Sequence, residues 1–266
     1  MSESDKEIKG PKVPAKEVCT APGFRFFERH WKIFDFLFFA SNLARTQDES
    51  RKIALKALSL ADPEKYDVGS DKERRGAFKR LQQFRDYQTE NMCIRLSDNF
   101  LCYLSEIIQA CALKNPNIIK SKEQLSVEDI LNFKRNKDII RFVVDKKING
   151  LTYGGVNDID NFIMSRIGFS ILEDENAKNI ISYSVNLRNL YTHNRGIVDN
   201  IFKRKMKGNN LYSPCDVGDL YEVDYDDLVV IANNYYNICQ ELDLFVSEKF
   251  GLKRKRFSTW AKSKTM

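Results

Sequence analysis

Residues 84–108 read FRDYQTENMCIRLSDNFLCYLSEII, and their spacing decides the fold class. Phe84, Tyr87, Met92, Leu96, Phe100, Tyr103, Leu104, Ile107 and Ile108 recur along it with a drifting 3.6-residue period, the signature of one apolar helical stripe. Asp71 is placed to cap a helix beginning at Lys72, and Asn115-Pro116 stops it after Lys114. So long a helix must pack along most of its run, so it is expected to be the spine of a bundle.

The flanking sequence is helical in the same sense. Phe24 to about Ala61 places Phe34, Leu37, Phe38 and Ser41 on one face, and its aromatic crowding reads as core. Pro63 and Gly69 mark the break that follows. Beyond the spine, Ser126-Val127-Glu128-Asp129 has the form of a capping box opening a short helix through Phe133. Asp138 to Ile148 and Ile159 to Ile167 are further candidate helices, with Asn149-Gly150 and Gly154-Gly155 bracketing a turn region. Glu175 to about His193 is the next long helix, which Gly196 is placed to end in a left-handed cap. Lys203 to Pro214 reads as a basic loop. Asp224 then caps Tyr225 to Phe250, closed by Gly251, with Leu228, Ile231, Tyr235, Ile238, Leu242 and Phe245 as its stripe. The expectation is an all-α, up-and-down bundle over residues 23–251, with an insertion of short helices at about 115–170, a flexible leader over 1–22 and a basic tail over 252–266.

Composition narrows the function classes. Six of the 43 basic residues lie after Gly251 with no acidic residue among them, leaving 37 basic against 37 acidic over residues 1–251. The body is therefore near neutral, and the tail is either a phosphate-binding arm, for RNA or DNA, or a solubilising end. The six cysteines show no CxxC spacing, and only two histidines are present, so no zinc or other metal site and no cofactor is expected. Free thiols suit a reducing cytoplasmic setting. Met1 to Lys16 lacks the apolar core of a secretory signal. The densest apolar run, Trp31 to Ala40, is interrupted by Lys32 and Asp35 and is too short to span a bilayer, so no membrane partner is expected. Gly154-Gly155 lacks the Lys and Ser/Thr of a phosphate-binding loop.

One stretch joins a phosphate-binding group to a titratable base. Arg188-Asn189-Leu190-Tyr191-Thr192-His193 places Asn189 four residues before the histidine, on its face of the helix. Metal-free RNA cleavage needs a base for the 2′-hydroxyl proton, an acid for the departing 5′-oxygen and positive charge over the phosphorane. An imidazole performs either proton transfer near neutral pH, and a guanidinium fork matches phosphate oxygens. A five-residue step separates Arg188 from His193 by about 140° on an ideal helix. Two copies around a two-fold axis would supply both acid and base, so a homodimer is expected. Arg195, Lys203, Arg204, Lys205 and Lys207 follow closely and are candidates for lining an RNA path.

Arg-Asn-x-x-x-His at a helix end, running on as Asn194-Arg195-Gly196-Ile197-Val198, resembles the Arg-polar-x-x-x-His motif of HEPN domains. The resemblance implies a dimeric helical bundle acting as a metal-independent endoribonuclease that leaves 2′,3′-cyclic phosphate ends, in a toxin-antitoxin, abortive-infection or phage-defence setting with an antitoxin or regulatory protein. It assigns Arg188, Asn189 and His193 as the catalytic set. Where nucleotidyltransferase-silenced members carry tyrosine two positions after the histidine, this chain has Arg195, so that mode of control is not implied. The first 70 residues lie outside the resemblance.

Each residue also has an ordinary reading. A histidine at a helix C-terminus is favoured by the helix dipole, and an arginine there commonly forms a surface ion pair. His30, beside Trp31, reads as packed or partly exposed. Asp224, Asp226 and Asp227 suit a helix start, and Asp158 and Asp160 a turn. A non-catalytic module that binds RNA or a nucleotide, or docks partners, remains the alternative.

Overall fold

The computed structural model describes residues 10–63, 65–66, 76–119, 133–154, 156–172 and 174–264. The fold is all-α. Among the described residues the helices are α1 (Ala21–Ala61), α2 (Ala77–Gln82), α3 (Arg85–Lys114), α4 (Asn136–Gly154), α5 (Val156–Ile167), α6 (Glu175–Asn194), α7 (Asn200–Met206), α8 (Tyr225–Phe250) and α9 (Phe257–Lys264), with short 3-10 turns at Pro14–Lys16 and Pro116–Ile119. No helix among the described residues is long and apolar enough to cross a membrane.

α3 is the spine. α1, α4, α6 and α8 all pack against it, and its stripe from Met92 through Ala112 is buried. Polar groups on the stripe are satisfied by its neighbours. The Tyr103 hydroxyl donates to the Cys239 carbonyl of α8 at 3.0 Å, and Asn99 donates to the Phe26 carbonyl of α1 at 3.0 Å. Tyr235 of α8 stacks on Phe100 and hydrogen-bonds Ser184 of α6 at 2.5 Å. These bonds fix the rotation of three helices about α3, because a buried hydroxyl left unpaired costs about 1–3 kcal/mol.

Several expectations are corrected. The spine is broken at Gln83–Phe84 into α2 and α3. The α2 start is capped from outside, by Asp48 of α1 accepting from the Ala77 and Phe78 amides. Asp71 and the Ser126 capping box lie outside the described residues. Asn149-Gly150 lies within α4. Of the expected basic loop, Lys203–Met206 is helical, whereas residues 207–214 are not: Asp199 caps α7 by accepting from the Phe202 amide at 2.6 Å, and Phe202 and Met206 bury one face of it. The aromatics of α1 divide. Phe24, Phe26, Phe27 and Phe34 are core, whereas Phe36, Phe38 and Phe39 are exposed.

Residues 10–20 and 252–264 also pack on the bundle. Val18–Cys19 (β1) pairs antiparallel with Lys255–Arg256 (β2). Thr20 caps α1 and delivers both its amide and its hydroxyl to Asp243 of α8, which is buried. Arg254 lies 3.6 Å from the same carboxylate. Trp260 donates to the Cys19 carbonyl at 2.9 Å, and Phe257 packs on Phe24. Residues 10–20 and 252–264 therefore make structural contacts, and residues 1–9 of the expected leader lie outside the described residues. A buried carboxylate needs such partners, and the tail supplies one.

Candidate functional site

α6 starts where Asp174 accepts from the Ala177 amide at 2.6 Å. It ends where Arg195 (φ 54°) and Gly196 (φ 79°) both adopt the left-handed conformation. The cap is thus shared, with a non-glycine residue carrying the first left-handed turn. Two ties hold this end. The Tyr191 hydroxyl donates to the Tyr221 carbonyl at 3.0 Å, and the Tyr221 amide donates to the Gly196 carbonyl at 2.9 Å. Asn194 donates to Asp199, the α7 cap, at 2.6 Å. The residue after the motif histidine thereby sets where α7 begins, and with it where Lys205 lies.

α1, α3, α4, α6 and α7 together enclose a cleft of about 1370 Å³. Arg188, Asn189, Thr192 and His193 line it from α6, and Lys205 from α7. One chain therefore brings Arg188, Asn189 and His193 to one cavity despite their angular separation on the helix. His193 is exposed, and its side chain has no hydrogen bond or ion pair among the described residues. Arg188 is partly buried: its Nε donates to Asp98 Oδ1 at 3.0 Å, and Nη1 donates to Asn189 Oδ1 at 3.2 Å. Asn189 thus orients the guanidinium. With the Arg188 side chain 25% and the Asp98 side chain 39% exposed, the pair is worth little in stability.

Of the five cations assigned to an RNA path, Lys205 alone lines the cleft. Lys203 pairs with Asp216 at 3.1 Å, and Arg195, Arg204 and Lys207 are exposed outside the lining. Residues not singled out from sequence enter instead: Arg25, Arg29 and Lys32 from α1, and Arg95 and Asp98 from α3. Their signal was present. Residues 25, 29 and 32, and residues 95, 98 and 102, follow four-three and three-four steps that put each set on one helical face. These faces lie opposite the apolar stripes that drew attention. Cys102 also lines the cleft. The residue is exposed overall, and partial desolvation of the sulfur, with Asp98 and Glu106 nearby, pushes its thiol up.

The carboxylates read as structural are so placed. Asp224 caps α8 and accepts from Arg85 at 2.6 Å. Asp227 accepts from Tyr183, and burial raises its carboxyl. Asp160 accepts from the Ile171 and Leu172 amides, closing the turn after α5. Among the described residues no group of three or more His, Cys, Asp or Glu side chains is placed to hold a metal ion. His30 is buried among Phe26, Phe34 and Tyr236, away from solvent.

Comparison with family models, curated proteins and solved structures found no match for this chain.

Proposed function

We propose that the chain is a HEPN-like, metal-independent endoribonuclease with its active site at the end of α6. The observation that carries this reading is that a solvent-exposed imidazole and a guanidinium held by two oriented partners line the same open cleft. His193 takes the proton of a ribose 2′-hydroxyl as its oxygen attacks the adjacent phosphorus. Arg188 binds the phosphate and stabilises the charge that builds on its non-bridging oxygens. The bond from phosphorus to the 5′-oxygen breaks, the departing oxygen takes a proton from a second acid, and a 2′,3′-cyclic phosphate remains. In a homodimer that acid is the symmetry mate of His193. Asn189 keeps the guanidinium fork in place. The setting that goes with such an activity is cytoplasmic defence or a toxin restrained by an antitoxin or regulatory protein.

The test is cleavage of mixed RNA in EDTA by the wild-type chain and by His193→Ala, with circular dichroism to verify folding. Cleavage that persists in EDTA and disappears with the imidazole supports the assignment. A second reading, an RNA-binding module without catalysis, is favoured by one observation: no described residue hydrogen-bonds the His193 ring to fix its orientation. Binding without cleavage by the wild-type chain would decide for it.

A further inference from the structure

The cleft contains more positive charge than the three motif residues account for. Three of its cations are paired inside it: Arg25 with Glu106 at 2.8 Å, Lys32 with Glu28 at 3.1 Å, and Arg188 with Asp98 at 3.0 Å. Asp145, a further carboxylate there, accepts from Ser105 at 2.6 Å. Arg29, Arg95 and Lys205 also line the cleft and are exposed, and their side chains have no ion pair or hydrogen bond among the described residues. Cations left unpaired in a shared concavity repel one another, and a bound polyanion relieves that repulsion.

The cleft's shape limits what that anion can be. At about 1370 Å³ it exceeds the range of roughly 300–1,000 Å³ typical of small-molecule sites. Its α3 wall runs from Arg95 to Glu106, which spans about 16 Å at 1.5 Å per residue. The Phe26 and Tyr103 rings lining it are 2% and 1% exposed and present no face on which a base can stack, which leaves His193 as the one exposed ring among the lining residues. Six Lys and Arg side chains among the lining residues favour recognition of the ligand's backbone, through charge.

We propose that Arg29 of α1 and Arg95 of α3 contact phosphates flanking the one held by Arg188, so that the cleft takes an RNA chain by consecutive phosphates and with little preference for base. This rests on the RNA reading above and extends the binding surface to α1, the segment outside the motif resemblance. Each phosphate contact to a single strand contributes about 0.7 to the slope of log affinity against log salt.

The test uses the full chain carrying His193→Ala, so that RNA stays intact, and fluorescence anisotropy with labelled single-stranded oligoribonucleotides of several sequences between 50 and 300 mM salt. Arg29→Ala with Arg95→Ala is expected to lower the slope by about 1.4 for every sequence alike. The charge-matched control, Lys52→Ala with Lys56→Ala on the exposed part of α1 outside the cleft, is expected to leave it unchanged. Circular dichroism verifies folding of each variant. Equal slopes in the two double variants overturn the proposal, as does displacement of the oligonucleotide by a nucleoside monophosphate as readily as by unlabelled oligonucleotide. The two readings fail separately. A wild-type chain that does not cleave, with the slope change still seen, removes the nuclease assignment and keeps this one. Cleavage in EDTA with the slope unchanged does the reverse.

Discussion

Replacing His30 by leucine should change how the stability of the fold depends on pH. The ring is 1% exposed, lies 5.4 Å from the Phe26 ring, 5.8 Å from Phe34 and 5.6 Å from Tyr236, and neither nitrogen has a hydrogen-bond partner among the described residues. Burial alone lowers its pKa from 6.5 to about 4. The folded-state value lies below the unfolded one, so the group is neutral in both states above about pH 6.5 and its contribution there is complete. Between 6.5 and 4 the unfolded chain takes up a proton that the folded chain refuses, and stability falls by about 1.4 kcal/mol per pH unit. Over the whole window the loss is about 3 kcal/mol, a large share of the 5–15 kcal/mol typical of a folded protein. Below about 4 both states are protonated and the loss levels off. Urea unfolding at pH 7.5, 6.5, 5.5 and 4.5 measures this. With slopes of about 2–3 kcal/mol/M, the wild-type midpoint is expected to fall by about 1 M more than that of His30→Leu across the series. The difference between the two proteins isolates this group, since every other titration is common to both. Parallel curves, or an imidazole titration at His30 near 6.5 by NMR in the folded protein, would refute the reasoning.

Three further outcomes follow from the packing. Deleting residues 252–266 removes Arg254 from the buried Asp243 and Trp260 from Cys19, so unfolding free energy is expected to drop by about 3 kcal/mol or more, and an unchanged thermal midpoint would show the tail is dispensable. Gly23→Ala puts a methyl group against the Asp243 carboxylate at the start of α1 and is expected to destabilise by about 1–3 kcal/mol in urea titration, with no loss if that approach is not made. Asp98→Asn removes the carboxylate that competes with phosphate for Arg188, so RNA binding in the His193→Ala background is expected to tighten up to about fivefold by anisotropy, and weaker binding would mean that Asp98 chiefly positions the arginine.

Much of the fold was legible because it repeats locally. The stripes of α3 and α8 each recur every three or four residues, and Asp224 and Gly251 cap within one turn, so a short window contains the whole signal. What escaped depends on distant partners. Thr20 and Asp243 lie 223 residues apart, and two-residue strands carry no periodicity, so nothing local distinguishes the packed segments 10–20 and 252–264 from polar tails. Phe36 and Phe39 match the composition of a core helix, yet their exposure depends on which neighbours reach that far along α1. The site divides in the same way. Arg188, Asn189 and His193 were found as a six-residue motif, whereas Arg29, Arg95 and Asp98 meet them only through the packing of α1 and α3 against α6.

The most direct measurement is to determine the ends of products formed in EDTA from a defined RNA and from the same RNA carrying 2′-deoxyribose at its main cleavage position. The account expects a 2′,3′-cyclic phosphate and a free 5′-hydroxyl from the first, and no cut at the substituted position in the second, with both activities absent from His193→Ala. Cleavage at the deoxyribose position, products ending in 5′-phosphate, or full activity without the imidazole would contradict it.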